Sequence, residues 1–99
     1  VLSVLRVDSA DEAFRINNDV RYGLSSSLYT RDLNLAFRAM QDLDNGITYV
    51  NAPTIGAEAH LPFGGVKQTG NGHREGGWEV YEFYSETKVC YVDYSGTLQ

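Results

Sequence analysis

The chain is poor in the features that announce several protein classes. A single cysteine, Cys90, permits no internal disulfide, and a reducing cytoplasm is the default setting for such a chain. No stretch approaches the ~18 apolar residues of a membrane-spanning helix, and no signal-peptide pattern opens the sequence. Basic residues number 8 against 13 acidic ones, for a net charge of −5, and they are scattered from Arg6 to Lys88. That balance, with no basic cluster, argues against nucleic acid as a partner. There is no internal repeat and no low-complexity segment. Methionine occurs once, at Met40, and the chain opens inside an apolar run, Val1-Leu2-Ser3-Val4-Leu5. This is the expected look of a piece of a longer protein. At 99 residues it holds one domain at most. Folded alone, a chain of this size buries only about 65% of its unfolded surface, which leaves a thin stability margin.

What is present reads as alternating strands and helices. Val1–Val7 has the composition of a buried strand. Ser9-Ala10-Asp11-Glu12 matches a capping box, with Ser9 as N-cap. Ala10, Ala13 and Phe14 form the apolar stripe of the helix that follows, and Gly23 is its expected stop. Ser25–Thr30 reads as a short strand. Asp32 is suited to cap a second helix, along which Leu33, Ala36, Phe37, Met40 and Leu43 recur at helical spacing. Asn45-Gly46 is the expected terminator, and Ile47–Val50 a third strand. Residues 51–77 are glycine-rich and irregular. Trp78–Ser85 reads as a helix with Glu79, Glu82 and Glu86 on a solvated face, and Thr87–Tyr94 as a β-branched and aromatic strand. The order implies an α/β layer with mostly parallel strands, at least three of them, and with Phe14 and Phe37 buried.

The long segment after Ile47–Val50 draws the functional interest. A loop this long is either a structural connection or a working part, and open α/β sheets bind ligands at the C-terminal ends of their strands. Its glycines match no phosphate cradle. In a dinucleotide pattern, Gly70 and Gly72 would need a third glycine where Glu75 stands. In a Walker pattern, Gly65 and Gly70 would need Lys-Ser/Thr where Asn71-Gly72 stands. The remaining role for the glycines is tight backbone packing. His60 and His73, with Glu58 or Glu75, lack a regular ligand spacing, so no metal site is expected. Lys67, Arg74 and Glu75 are expected to pin the loop through hydrogen bonds and ion pairs. Cys90 lies between Val89 and Tyr91 with no histidine nearby, as a structural thiol would. The aromatic cluster Trp78, Tyr81, Phe83 and Tyr84 suits either a partner surface or burial against the rest of the same polypeptide.

Several ordered motifs carry a family resemblance. They are Tyr22-Gly23-Leu24-Ser25, Tyr29-Thr30-Arg31-Asp32, the helix ending at Asn45-Gly46, and the strand ending in Asn51. Leu61-Pro62-Phe63-Gly64-Gly65-Val66-Lys67-Gln68-Thr69-Gly70 and Ser85-Glu86-Thr87-Lys88-Val89 complete the series. In this order and spacing, from Val1 to about Tyr94, the chain resembles the C-terminal part of the aldehyde dehydrogenase superfamily. Gly56-Ala57-Glu58 before the Pro-Phe-Gly-Gly motif, and Gly70-Asn71-Gly72-His73-Arg74-Glu75 after it, look most like members acting on small semialdehydes.

The resemblance implies a parent enzyme that oxidises a small aldehyde or semialdehyde to a carboxylate with NAD or NADP. It implies that residues 1–86 belong to the catalytic domain and residues 87–99 to an oligomerisation strand and tail. Phe63 would stand in the wall of the aldehyde tunnel, with Glu58 and His60 setting side-chain specificity. Thr87–Tyr94 would join a neighbouring subunit of a homo-oligomer. The family's catalytic cysteine, general base and ribose-binding acid would all precede Val1. The segment would then carry no catalytic residue and bind no cofactor by itself. The competing reading is a non-catalytic α/β interaction module, or a truncated fragment without enzyme activity.

Overall fold

A computed structural model describes residues 1–97. Helix α1 (Ala10–Asn18) begins where the sequence places it. Ser9 is extended, and its Oγ accepts from the Glu12 N–H at 3.1 Å. The Glu12 carboxylate accepts in turn from the Asp8 N–H at 3.0 Å, one residue earlier than a standard capping box. Such a cap contributes about 1 kcal/mol. Helix α2 (Leu33–Asp42) starts in the same way, with an Asp32 carboxylate oxygen accepting from Leu35 N–H at 3.1 Å.

Both helices end earlier than their glycines suggest. Asn18 closes α1, and its side chain closes α2 as well. Nδ2 donates to the Asp42 carbonyl at 2.7 Å, and Oδ1 accepts from the Asp44 N–H at 2.9 Å. Asparagine and aspartate offer the backbone hydrogen bonds that compete with helix continuation. Gly23 and Gly46 are needed for a different reason. A Cβ on Gly23 would lie 2.6 Å from the Asp44 carbonyl oxygen, and a Cβ on Gly46 would overlap the carbonyl oxygen of Gly64.

Strands β2 (Ser25–Leu28) and β3 (Ile47–Val50) pair in parallel, with Ser25 opposite Ile47 and Leu28 opposite Val50. Helix α2 is the crossover between them, as a parallel pair requires. Two further short strands, β1 (Tyr22–Gly23) and β4 (Val66–Lys67), pair antiparallel. The core lies where α1, α2 and β3 meet. It is built from Phe14, Ala36 and Ala39, and the two alanines let the backbones approach closely. Arg38 covers this core from outside. Its guanidinium lies 5.5 Å from the Phe14 ring centroid and 2.6 Å from Asp11, which joins α2 to α1. A short helix, α3 (Glu79–Phe83), lies inside the expected Trp78–Ser85 span.

Four expectations differ from the structure. Val1–Val7 forms no strand; Leu2 and Val4 are exposed, because a strand exists only through a ladder partner and no described segment pairs with it. For the same reason the sheet holds one parallel pair rather than three mutually parallel strands. Phe37 is 61% exposed rather than buried. The inward face of α2 is Ala36 and Ala39, while Leu33, Phe37 and Met40 form a second apolar stripe directed outward. Thr87–Tyr94 likewise carries no strand, with Tyr91 and Tyr94 exposed.

The radius of gyration is 20.7 Å, against about 13 Å for a compact chain of this length. The accessible surface is 8653 Å², where a globular monomer of this mass would expose roughly 5,600 Å². Large apolar side chains contribute to the excess: Leu33, Phe37, Trp78, Tyr84 and Val89 are all exposed.

Candidate functional site

The loop after β3 begins with a strained residue. Asn51 has φ 55°, a left-handed conformation rarely adopted without support. Its side-chain amide supplies that support. Oδ1 accepts from the Thr30 N–H at 2.8 Å, and Nδ2 donates to the Thr30 carbonyl at 2.9 Å. The chain leaving β3 is thereby tied to the chain leaving β2.

At the far end the loop is pinched by Phe63 and Glu75, which form an isolated antiparallel bridge. Phe63 N–H donates to the Glu75 carbonyl at 2.6 Å, and Glu75 N–H donates back at 2.9 Å. The two glycines after Phe63 now have a cause. A Cβ on Gly64 would meet the Arg74 side chain at 2.7 Å and the His73 carbonyl at 2.9 Å. A Cβ on Gly65 would run into the Thr69 side chain. Gly76 and Gly77, at φ 75° and 55°, turn the chain against the backbone of residues 59–62. Glycine at 64, 65, 76 and 77 is therefore packing chemistry, as the sequence implies.

Lys67 does pin this assembly. Its Nζ donates to the carbonyls of Asn18, at 2.6 Å, and Val20, at 3.2 Å, and lies 3.7 Å from the Asp44 carboxylate. A cation at the C-terminal end of α1 also suits the helix dipole. Thr69 adds a second tie, its Oγ1 accepting from the Gly23 N–H at 2.9 Å. Asn18, Asn51 and Thr69 were not legible as ties. Each bonds to backbone far away in sequence, and such contacts leave no local pattern.

Phe63 stands at the junction of three open cavities. One, of about 360 Å³, is lined by Phe63, Thr69, Asn71, His73, Arg74 and Phe83, among others. A second, of about 500 Å³, lies between Phe63, Glu58, Leu61, Val80 and Tyr84. A third, of about 380 Å³, is bounded by Phe63, Glu58, Pro62 and β3. Glu58 thus shares two linings with Phe63. His60 lies on the same loop, is exposed, and is not in the lining of any of these three. The walls are mostly carbon with few charges, which suits holding a small organic molecule rather than activating one.

Among the described residues, no three His, Cys, Asp or Glu side chains gather as metal ligands. Cys90 is exposed on the irregular C-terminal stretch. Nor do the residues fit a dinucleotide. Gly70 and Gly72 lead to the Phe63–Glu75 bridge and then to a helix of 5 residues, not from a strand into a long helix whose N-terminus could face a pyrophosphate.

This combination, a β–α–β crossover feeding a clamped, glycine-packed loop, defines an α/β segment with a one-sided apolar wall. The aldehyde dehydrogenase family model matches residues 1–90. The chain belongs to the aldehyde dehydrogenase family. It is 42% identical over 100 residues to the alpha-aminoadipic semialdehyde dehydrogenase of Mus musculus, covering 99% of this chain and 18% of that protein. It is 36% identical over 92 residues to the alpha-ketoglutaric semialdehyde dehydrogenase of Bacillus subtilis, covering 93% of this chain and 19% of that one. Among solved structures it is similar to the indole-3-acetaldehyde dehydrogenase AldA of P. syringae, determined as a mutant with NAD+ and IAA. There the TM-score is 0.79 at 39% identity, over 88% of this chain and 17% of the other. The chain thus spans under a fifth of each of these relatives.

Proposed function

We propose that this chain is the C-terminal segment of an NAD(P)-dependent aldehyde dehydrogenase that oxidises a small aldehyde or semialdehyde to a carboxylate in the cytoplasm. The segment's share is the wall of the substrate tunnel and a contact between subunits. The observation that carries the reading is the placement of Phe63. Its backbone is held by a two-bond bridge to Glu75, and the residue lines three largely apolar cavities. A rigid aromatic wall excludes water from an aldehyde and limits its orientations before nucleophilic attack. Glu58, on two of the same linings, and His60, on the same loop, would tune which side chains enter.

In this reading the nucleophile, the general base and the cofactor site lie outside these residues. Residues 1–86 complete the catalytic domain, and residues 87–99 carry the oligomer contact. The relatives named for semialdehydes support that substrate class, and the relative solved with NAD+ supports the cofactor. The exposed apolar faces of α2 and α3 are surface that a larger polypeptide would cover.

Two measurements test the proposal. Calorimetric titration of this chain alone with NAD and with NADP should show no binding. The polypeptide extended upstream should reduce NAD or NADP when given a small semialdehyde. Micromolar cofactor binding by the chain alone, or an inert extended protein, would contradict it.

A further inference from the structure

The dipeptide Asn-Gly occurs twice, at Asn45-Gly46 and at Asn71-Gly72, and the fold treats the two copies in opposite ways. Glycine after asparagine is the arrangement most open to spontaneous deamidation, because no Cβ hinders the backbone nitrogen from reaching the side-chain carbonyl. The reaction needs that nitrogen free, the carbonyl carbon electrophilic and the side-chain amine able to leave.

At Asn45-Gly46 none of these is met. The Gly46 N–H is bound to the Gly23 carbonyl at 3.1 Å. The Asn45 amine is held by the Ile47 carbonyl at 2.6 Å and Thr48 Oγ1 at 2.8 Å. Gly46 is packed against the Gly64 backbone with no space for movement. At Asn71-Gly72 every condition is reversed. Among the described residues the Gly72 N–H meets no acceptor. Around Gly72 there is open space, and its φ is 91°. Among the described residues the Asn71 amine meets no acceptor, while Asn71 Oδ1 accepts from the His73 N–H at 3.2 Å, which polarises the carbonyl to be attacked.

We propose that Asn71 is a site of spontaneous deamidation in the folded protein and that Asn45 is protected by the fold. Solvent base removes the Gly72 amide proton, and the nitrogen attacks Asn71 Cγ. The new C–N bond closes a succinimide as the Cγ–Nδ2 bond breaks, and Nδ2 leaves as ammonia. Water then opens the ring at either carbonyl, giving aspartate or isoaspartate. The net exchange is water for ammonia, with no change of oxidation state. Asn71 lines the cavity fronted by Phe63, with His73 and Arg74 on the same wall. The modification therefore places a carboxylate in that wall and, in the isoaspartate product, lengthens the backbone there.

The test is peptide mapping by mass spectrometry after incubation at mildly alkaline pH, in the native protein and in strong denaturant. Natively, conversion at Asn71 should be on the order of tenfold or more faster than at Asn45, since Asn45 must first open locally to react. In denaturant the two rates should converge. Asn71→Gln should abolish the fast acidic variant seen on ion exchange. Equal native rates, faster conversion at Asn45, or a rate ratio that survives in denaturant would each overturn the proposal.

Discussion

Lys67 and Asn18 meet end to side: the ammonium of one donates to the main-chain carbonyl of the other at 2.6 Å. That bond fixes the strand following Phe63-Gly64-Gly65 onto the end of α1. Asn18 in turn holds the end of α2 with its side chain. Two helices and the loop thus share one anchor. Lys67→Met should cost about 1–2 kcal/mol in urea unfolding, the worth of a charge-assisted bond partly screened by solvent. Lys67→Arg should recover only part of it. A variant as stable as the parent would show that the anchor is idle.

The glycines divide by environment. Gly46→Ala places a methyl group against the Gly64 backbone, which cannot move aside as a side chain could. A loss of about 3 kcal/mol is expected from such overpacking. Gly70→Ala meets open space but keeps a φ of 80°, so about 1–2 kcal/mol of backbone strain is expected. Gly56→Ala, with open space and no left-handed φ, should be neutral or slightly stabilising. Thermal denaturation of the three variants checks the order.

The Ser95 side chain, and then its main-chain N–H, which donates to Oδ1 at 2.8 Å, hold the Asp93 carboxylate below the usual aspartate range. A depressed folded pKa means the turn is favoured above the unfolded value and released as pH falls through the folded one. The Ser95 amide resonance should therefore move at a pH below that of an ordinary aspartate, and Asp93→Asn should remove the transition. A midpoint at the ordinary value would contradict this.

The segment Thr87–Tyr94 alternates Lys88, Cys90, Val92 and Tyr94 with Val89, Tyr91 and Asp93, and neither set is polar throughout. Such a stretch is suited to pair with a strand of another subunit. On the proposed oligomer contact, deleting Lys88 onward from the full-length protein should shift its light-scattering mass toward smaller species. An unchanged oligomer would remove the segment from the interface.

The parts of this fold that were legible are those encoded locally. Ser9 and Asp32 announce their caps by spacing. Gly64 and Gly65 announce crowding, and the two-strand crossover follows from the alternation of patterns. Elements that depend on distant partners were not legible. Val1–Val7 has strand composition but no ladder. Phe37 lies on an apolar stripe, and periodicity marks a face without saying what covers it. Of the site, the structure puts Phe63 and Glu58 on two shared linings and leaves His60 off them, while the two-way grip of Asn51 on Thr30 had no sequence signal beyond a single asparagine.

The central claim is that Phe63 shapes the substrate path. Phe63→Ala in the full enzyme, with several small aldehydes and semialdehydes, tests it most directly. The account predicts a fall in kcat/KM of about tenfold or more, differing among the aldehydes, because the lost ring releases orientations it had excluded. The unfolding midpoint should move far less, since the ring is only half-buried and the bridge to Glu75 uses backbone atoms alone. Unchanged kinetics across all the aldehydes, in a variant that folds normally, would contradict the account.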